Sequence, residues 1–260
     1  MLKLPSELQT IHLVKEHFLV RFAKDDQDLD QLTKVRFAVF NQELKAGSAR
    51  NLLIGRDQDR YDEHCHHLMM IDQRTDRVVG TYRMQTYAMA KQHYGFYSSQ
   101  EFDLSPISQT IIDNAVEIGR ACILKEYRGW STFFLLWQGI AEYLKIQQKY
   151  YLFGCSSLMS ENIAEGYATL DHLRKRRLVH QDFWVYPTEA YKCPSQSADA
   201  SLVGLTQKIV LPRLLQFYLK FGARVCSDPA IDSTFKSIDF FTIFNIKHLT
   251  QKHSPFYVAD

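Results

Sequence analysis

The segment from Ala115 to Leu124 is apolar apart from one acid, Glu117, and one base, Arg120. Its length and its Val and Ile content predict a buried strand. Charges inside such a strand are costly unless they are paired or used in chemistry. Strict alternation sends Glu117 and Arg120 to opposite faces. A bulge at Gly119, where no side chain obstructs one, brings both to the same face. The chain must therefore build a sheet that buries this strand and occupies its two charges. These residues alone leave a structural ion pair and a functional site both open.

The neighbouring patterns supply that sheet. Phe18 to Phe22 reads as a short strand. Asp25 or Asp26 can cap a helix in which Leu29, Leu32, Val35, Val39 and Phe40 recur at helical spacing to about Leu44. A polar loop runs from Lys45 to Arg60. His67 to Asp72 and Val78 to Thr86 form a hairpin, and a looser stretch spans Tyr87 to Asp113. After the charged strand, Phe133, Leu136, Trp137, Ile140, Ala141 and Leu144 share one helical stripe. A strand at Tyr150 to Cys155 and a helix at Asn162 to Arg177 follow. Thr188 to Asp199 reads as a loop, and Pro212 and Gly222 bracket a further helix. Phe240 to Ile246 is a last strand. The order is that of an α/β (α+β) layered fold, with a core over residues 1–187 and an extension over residues 188–260 packed on it.

Thirty-one Lys and Arg face 29 Asp and Glu among 260 residues, a net charge of +2. That balance argues against a chain that coats nucleic acid, and an anionic partner must meet a local patch. No apolar run approaches the roughly 20 residues that span a bilayer. The first 18 residues lack the centre of a secretory signal. Five scattered cysteines, none in a Cys-x-x-Cys pair, fit a reducing cytoplasm without a disulfide framework.

Phosphate-loop, dinucleotide, nucleophile-elbow and zinc-protease motifs are absent. His64, Cys65, His66 and His67 stand side by side, but neighbours on a strand alternate sides and do not converge on one ion, so no metal is expected. The turn Tyr127-Arg128-Gly129-Trp130-Ser131 leads into a helix whose free amides and dipole make an anion seat. Arg174 to Arg177 place four cations at a helix end, as a patch for an acidic partner or as partners of the helix dipole. The stripe Leu214, Leu215, Tyr218, Leu219 either rests on a membrane surface or packs on the domain.

Several phrases then resemble the Gcn5-related N-acyltransferase superfamily, in its ornithine N-acyltransferase branch. They include Arg36 with Phe40; Asp57, Asp59, Asp62, Cys65 and His67-Leu68; Val78 to Arg83; Gly95 to Ser98 with Glu101 to Leu104; Glu117-Ile118-Gly119-Arg120; and Leu136-Trp137. Leu152 to Gly154, Leu211-Pro212, Tyr218-Leu219, Gly222-Ala223 and Ile231-Asp232 continue the series. The Arg, Phe, paired Asp, Arg and Glu-x-x-Arg set is also similar to acyl-homoserine-lactone synthases. The extension after Pro187 resembles the ornithine-acyltransferase side.

The resemblance implies a mixed, splayed central sheet flanked by helices. It implies an enzyme that moves a long-chain (3-hydroxy)acyl group from a thioester to the α-amine of an amino acid, ornithine first. Glu117 and Arg120 are the expected catalytic pair. Arg36, Phe40, Asp59, Asp62 and Arg83 are expected at the substrate, with Asp57 as the alternative to Asp59. Arg128, Gly129, Ser131 and Trp137 are expected at the acyl and pantetheine arm. Ser131 and Phe133 stand where coenzyme-A-binding relatives carry small glycines, which impairs close approach of a pyrophosphate and favours acyl carrier protein over coenzyme A as donor. The expected partners are the carrier protein, the amino-acid acceptor and a peripheral membrane contact at the inner face of a cytoplasmic location. No bound cofactor is expected. The competing readings are a synthase of another N-acyl amino acid or of a homoserine-lactone signal, and a catalytically silent acyl-binding protein.

Overall fold

The computed structural model describes residues 4–194 and 209–248 of the chain. From the start, α1 (Ser6–Gln9), β1 (Leu13–Lys15), β2 (Phe18–Phe22), α2 (Asp26–Phe37) and α3 (Ala49–Ile54) lead to the hairpin β3 (His66–Asp72) and β4 (Arg77–Thr86). Next come α4 (Tyr87–Gln92), β5 (Phe102–Asp103), α5 (Gln109–Asp113), β6 (Ala115–Ile123) and α6 (Trp130–Ile146). The chain continues through β7 (Tyr151–Leu158), α7 (Ile163–Lys175), β8 (Tyr186–Pro187), α8 (Arg213–Lys220), β9 (Arg224–Val225), β10 (Ala230–Asp232) and β11 (Ser237–Asn245). The alternation is the expected α/β arrangement. The described residues gather into two compact units, residues 4–95 with 114–150, and residues 96–113 with 151–194 and 209–248.

In the first unit the strands run in the order β1-β2-β3-β4-β6, each antiparallel to its neighbour. Every residue of β3 is buried because both faces are covered. On one side lies α6, whose Trp137 meets Tyr82 edge-on at 6.5 Å. A Cβ at Gly139 of this helix would come within 2.8 Å of Leu68 Cδ2 and 2.9 Å of Val20 Cγ1. Glycine is what lets helix and strands approach this closely. Leu68, Met69 and Met70 have no exposed surface, each a contribution of about 1.5–3 kcal/mol. On the other side lies α2, packed on β4 and β6. Asp25 caps it by accepting from the Asp28 amide, as its sequence predicts. His66 and His67 point to opposite faces, His66 Nδ1 to the Tyr143 hydroxyl at 3.0 Å and His67 Nε2 to the Asp62 carbonyl at 2.8 Å.

In the second unit β11 pairs antiparallel with β7 from Ile238↔Leu158 to Asn245↔Tyr151. β10 and β9 pair with β11 as well, and β5 pairs with β8. The segment after Pro187 thus supplies strands that are built around a strand from before it. Helices α7 and α8 close a core of Leu158, Leu170, Leu173, Leu215, Leu219, Val225, Ile238 and Phe240. Leu215 and Leu219 are committed to that core, so of the two fates open to the stripe, α8 takes packing on the domain. Gly222, at φ +104°, takes the left-handed position just after α8.

Two stretches read as loops hold short helices. Within 45–60 lies α3, capped by Ser48 and ended by Gly55 at φ +64°; within 87–113 lie α4 and α5. Each has only five or six residues, too few for a periodic pattern to emerge. The Ser-rich end of the loop expected to reach Asp199 lies outside the described residues. No described helix is long and apolar enough to cross a membrane.

Candidate active site

Strand β6 is kinked at its charges. Its register with β4 runs Thr81↔Cys122 and then Arg83↔Gly119, so Arg120 and Ala121 together oppose Tyr82 alone. This is a β-bulge. It is centred on Arg120, whose φ is +49°, and not on Gly119 as expected. The left-handed backbone costs a non-glycine residue roughly 1–2 kcal/mol. Ion pairing of the Arg120 side chain offsets that cost: Nη2 donates to Asp59 Oδ2 at 2.8 Å and Nε lies 3.3 Å from Asp57 Oδ1. Glu117 is opposite Gln85, two residues along β4 from Arg83, so Glu117 and Arg83 share a face. The bulge turns Arg120 onto that face too.

Six charged side chains meet there. Arg36, from the last turn of α2, donates to Asp57 at 2.8 Å and to Asp62 at 2.7 Å. Arg83 donates to Asp59 at 2.6 Å and to Asp62 at 2.9 Å. Asp59, Asp62 and Asp57 come from the segment between α3 and β3, which folds on itself. The Asp59 amide donates to Asp62, the Tyr61 amide to Asp59, and the Asn51 side chain to Asp57. Three guanidiniums answer three carboxylates, so the group is neutral although Arg36, Asp57 and Asp62 are at most 1% exposed. Burial favours the neutral acid, but Arg36 and Arg83 outweigh it and hold Asp62 well below the usual carboxylate range. At Asp59 burial is likewise outweighed by Arg83 and Arg120, and its pKa is lowered. Burial would lower the pKa of Arg83, yet Asp59 and Asp62 raise it well above the ordinary value.

Glu117 is 6% exposed, near Tyr61 and Cys65, and its charge adds to the forces that keep both in their neutral forms. Burial pushes the Cys65 thiol up to about 12, which disqualifies it as a thiolate nucleophile. The middle of β6 is more open than its start: Ala115, Val116 and Glu117 are buried, whereas Ile118, Gly119, Arg120 and Ala121 are all half-buried. A Cβ on Gly119 would meet nothing within 4 Å. A buried carboxylate, a fixed guanidinium and a bulged backbone therefore border free space. This arrangement can take a proton, orient an anion or carbonyl, and offer backbone donors to a developing oxyanion.

The remaining expected residues divide. Phe40 is half-buried in the π-helical turn Ala38–Glu43 that continues α2. Arg36, expected at the substrate, has no exposed surface and holds both carboxylates in its fork, in the interior of the cluster. Trp137, expected at the acyl and pantetheine arm, is 1% exposed between Tyr82 and Phe133 in the core. Arg128, Gly129 and Ser131 stand together at the start of α6. Gly129 is the N-cap position and no side chain caps the helix. Arg128 forms a bidentate pair with Glu43, both contacts at 2.6 Å. Asp57, the alternative to Asp59, joins the cluster beside it. Sequence reading missed a second buried group, Glu101, Asp232 and Asp239 in the other unit. Its signal was the same as at Glu117, an acid inside an apolar strand, here Asp239.

Residues 35–138 match the acetyltransferase (GNAT) domain family model. The L-ornithine Nα-acyltransferase of Agrobacterium fabrum is 28% identical over 253 residues, covering 92% of this chain and 85% of that one. The L-ornithine Nα-acyltransferase of Rhizobium meliloti is 29% identical over 248 residues, covering 92% and 84%. The structure of FeeM, an N-acyl amino acid synthase from uncultured soil microbes, superimposes with a TM-score of 0.50 at 7% identity, over 89% of this chain and 92% of that one, a likeness of fold. Strands β3, β4 and β6, the kink and the charged cluster thus lie within the residues that match this family model, and the chain is an acyltransferase.

Proposed function

We propose that this acyltransferase moves a long-chain acyl group from acyl carrier protein to the α-amine of an amino acid, with ornithine as the first acceptor to test and a lyso-ornithine lipid as product. The observation that carries the chemistry is the bulge at Arg120, which puts Glu117, Arg83 and Arg120 on one face beside open space at Gly119. The acceptor's ammonium must lose a proton before it attacks the thioester carbonyl. Glu117 takes that proton, directly or through a water, and a backbone amide of the bulged strand donates to the developing oxyanion. Arg120, with Arg83 buried beside it, orients the acceptor carboxylate or the pantetheine arm. The uncapped start of α6, with Arg128 and Ser131, receives the pantetheine phosphate. The choice of ornithine rests on the relatives' names over more than nine-tenths of the chain.

A carrier protein is acidic, and the second unit offers a basic groove of about 810 Å³ lined by Arg174, Arg177, His180 and Arg224. For a lipid surface the chain offers α3, where Leu52 and Leu53 are 60% and 88% exposed beside Arg50. Incubation with acyl-loaded carrier protein, acyl-coenzyme A and a panel of amino acids, read by mass spectrometry, tests the reading. The expected product is N-acylornithine from the carrier-borne donor. No acylated amine from either donor would overturn it.

A further inference from the structure

The second unit buries three carboxyl groups without an answering cation. Glu101, Asp232 and Asp239 are 1%, 3% and 3% exposed, and each places a carboxylate oxygen within 4.8 Å of the others. Glu101 immediately precedes β5, Asp232 ends β10 and Asp239 lies in β11, so the three come from segments some 130 residues apart. Parts of the set are satisfied. Asp232 Oδ1 accepts from the amides of Thr234 and Phe235 at 2.7 and 3.0 Å, and Asp239 Oδ2 accepts from the Ser237 hydroxyl at 3.2 Å. Both oxygens of Glu101 and Oδ1 of Asp239 are buried without a hydrogen bond of ordinary geometry. The contrast with the first unit is direct, since three guanidiniums neutralise three carboxylates there. Among the described residues no Lys or Arg forms an ion pair with any of these three. Their neighbours are the neutral Cys155, Ser157 and Tyr191.

Buried carboxylates persist when they are paired, protonated or bound to a metal. We propose that Glu101, Asp232 and Asp239 bind one hard divalent cation of the Ca²⁺ type, which ties the β10–β11 hairpin to the segment entering β5. Oxygens held by Ca²⁺ at about 2.3–2.6 Å lie within about 5 Å of one another, the spread these carboxylates already have. Glu101, with both oxygens open, supplies a bidentate ligand. A divalent ion offsets two of the three charges. The carboxylate oxygens suit Ca²⁺ or Mg²⁺ over softer metals.

The test uses the full chain, stripped with a chelator and dialysed against CaCl₂ or MgCl₂. Bound metal is counted by elemental analysis and the melting midpoint is followed by circular dichroism. One ion per chain is expected, with a rise in Tm of about 5 °C or more at a hundredfold excess over Kd. Glu101→Gln and Asp239→Asn are expected to lose both effects, and Asp103→Asn, an exposed acid nearby, to keep them. Without ion, Glu101→Gln is expected to melt at or above the parent protein, because it relieves repulsion; this separates lost binding from lost folding. A parent protein indifferent to both ions would overturn the proposal and leave a shared proton as the neutralising charge. Stabilisation by ornithine in place of metal, abolished by Glu101→Gln, would also overturn it. None of these readouts involves acyl transfer, so the proposal stands or falls apart from the assigned reaction.

Discussion

Arg120 reaches Asp59, at 2.8 Å, from a backbone turned into the left-handed region. Side chain and backbone can be separated by substitution. Arg120→Ala loses the ion pairs and keeps the strain, and is expected to cost about 2–3 kcal/mol, less than a fully buried pair because Arg120 is 12% exposed. Arg120→Gly loses the same pairs but relaxes the backbone, and should be more stable than the Ala variant by about 1 kcal/mol. Urea denaturation measures both. Equal stability of the two variants would show that the bulge carries no strain.

Glu117→Gln keeps size and hydrogen bonding while removing the base. Acyl transfer should fall by about 10²–10⁴ in kcat with the melting temperature nearly unchanged. Steady-state rates with a loaded carrier protein read this out. Undiminished turnover removes Glu117 from the proton path.

Arg36 lies beneath the reacting face, between Asp57 and Asp62. Arg36→Met leaves two buried carboxylates short of a partner and is expected to destabilise the chain by about 3–5 kcal/mol. Arg36→Lys should rescue little of this, because one ammonium does not reproduce a fork shared between two carboxylates. Loss of turnover with stability intact would instead return Arg36 to the substrate.

Burial pushes His66 and His67 down to about 4 each, against about 6.5 in an unfolded chain. At His67, Asp62 opposes that drop without overcoming it. Below pH 6.5 the unfolded state takes up protons that the folded state refuses. Stability should therefore be full above pH 6.5 and decline towards pH 4, by up to about 1.4 kcal/mol per unit for each histidine. Denaturation at a series of pH values tests the slope, and His66→Gln should reduce it. An unaltered slope in that variant would assign the acid sensitivity elsewhere.

The basic groove makes a kinetic prediction. Arg177→Glu with Arg224→Glu should raise KM for a carrier-borne donor roughly tenfold, spare kcat, and weaken the dependence of KM on salt. Arg174 is left in place because it already approaches Asp228 at 3.6 Å and lies over Trp184 at 5.2 Å. A KM that keeps its value and its salt response moves the docking surface elsewhere.

Much of this was legible before any coordinates. Alternation and helical spacing located β2, β3, β4, β6, α2 and α6, since each exceeds the length at which a period emerges. The acid and base of β6 announced the site because they are dear in an apolar strand. The bulge was foreseen, but a residue early. Glycine is the position where a bulge is cheapest, whereas the fold set it where Arg120 could be held by two carboxylates. Arg36 and Trp137 illustrate another limit. Sequence identifies a residue as chemically apt, but whether a neighbour seals it depends on segments such as 57–62 and Tyr82 that approach only in three dimensions. The Glu101 group had one sequence signal, Asp239 in the apolar strand β11, while Glu101 and Asp232 join it only in three dimensions.

Strand β7 ends at Leu158 and its partner β11 begins at Ser237, so about eighty residues separate them. At typical elongation rates a ribosome needs roughly 4–16 s to cover that distance. Throughout that interval the nascent chain holds out an unpaired edge of eight residues, Tyr151 to Leu158, five of them buried apolar or small positions in the finished sheet. Truncation before Ser237 would make this exposure permanent. Aggregation during synthesis, more than loss of catalysis, is the expected fate of such a shortened product.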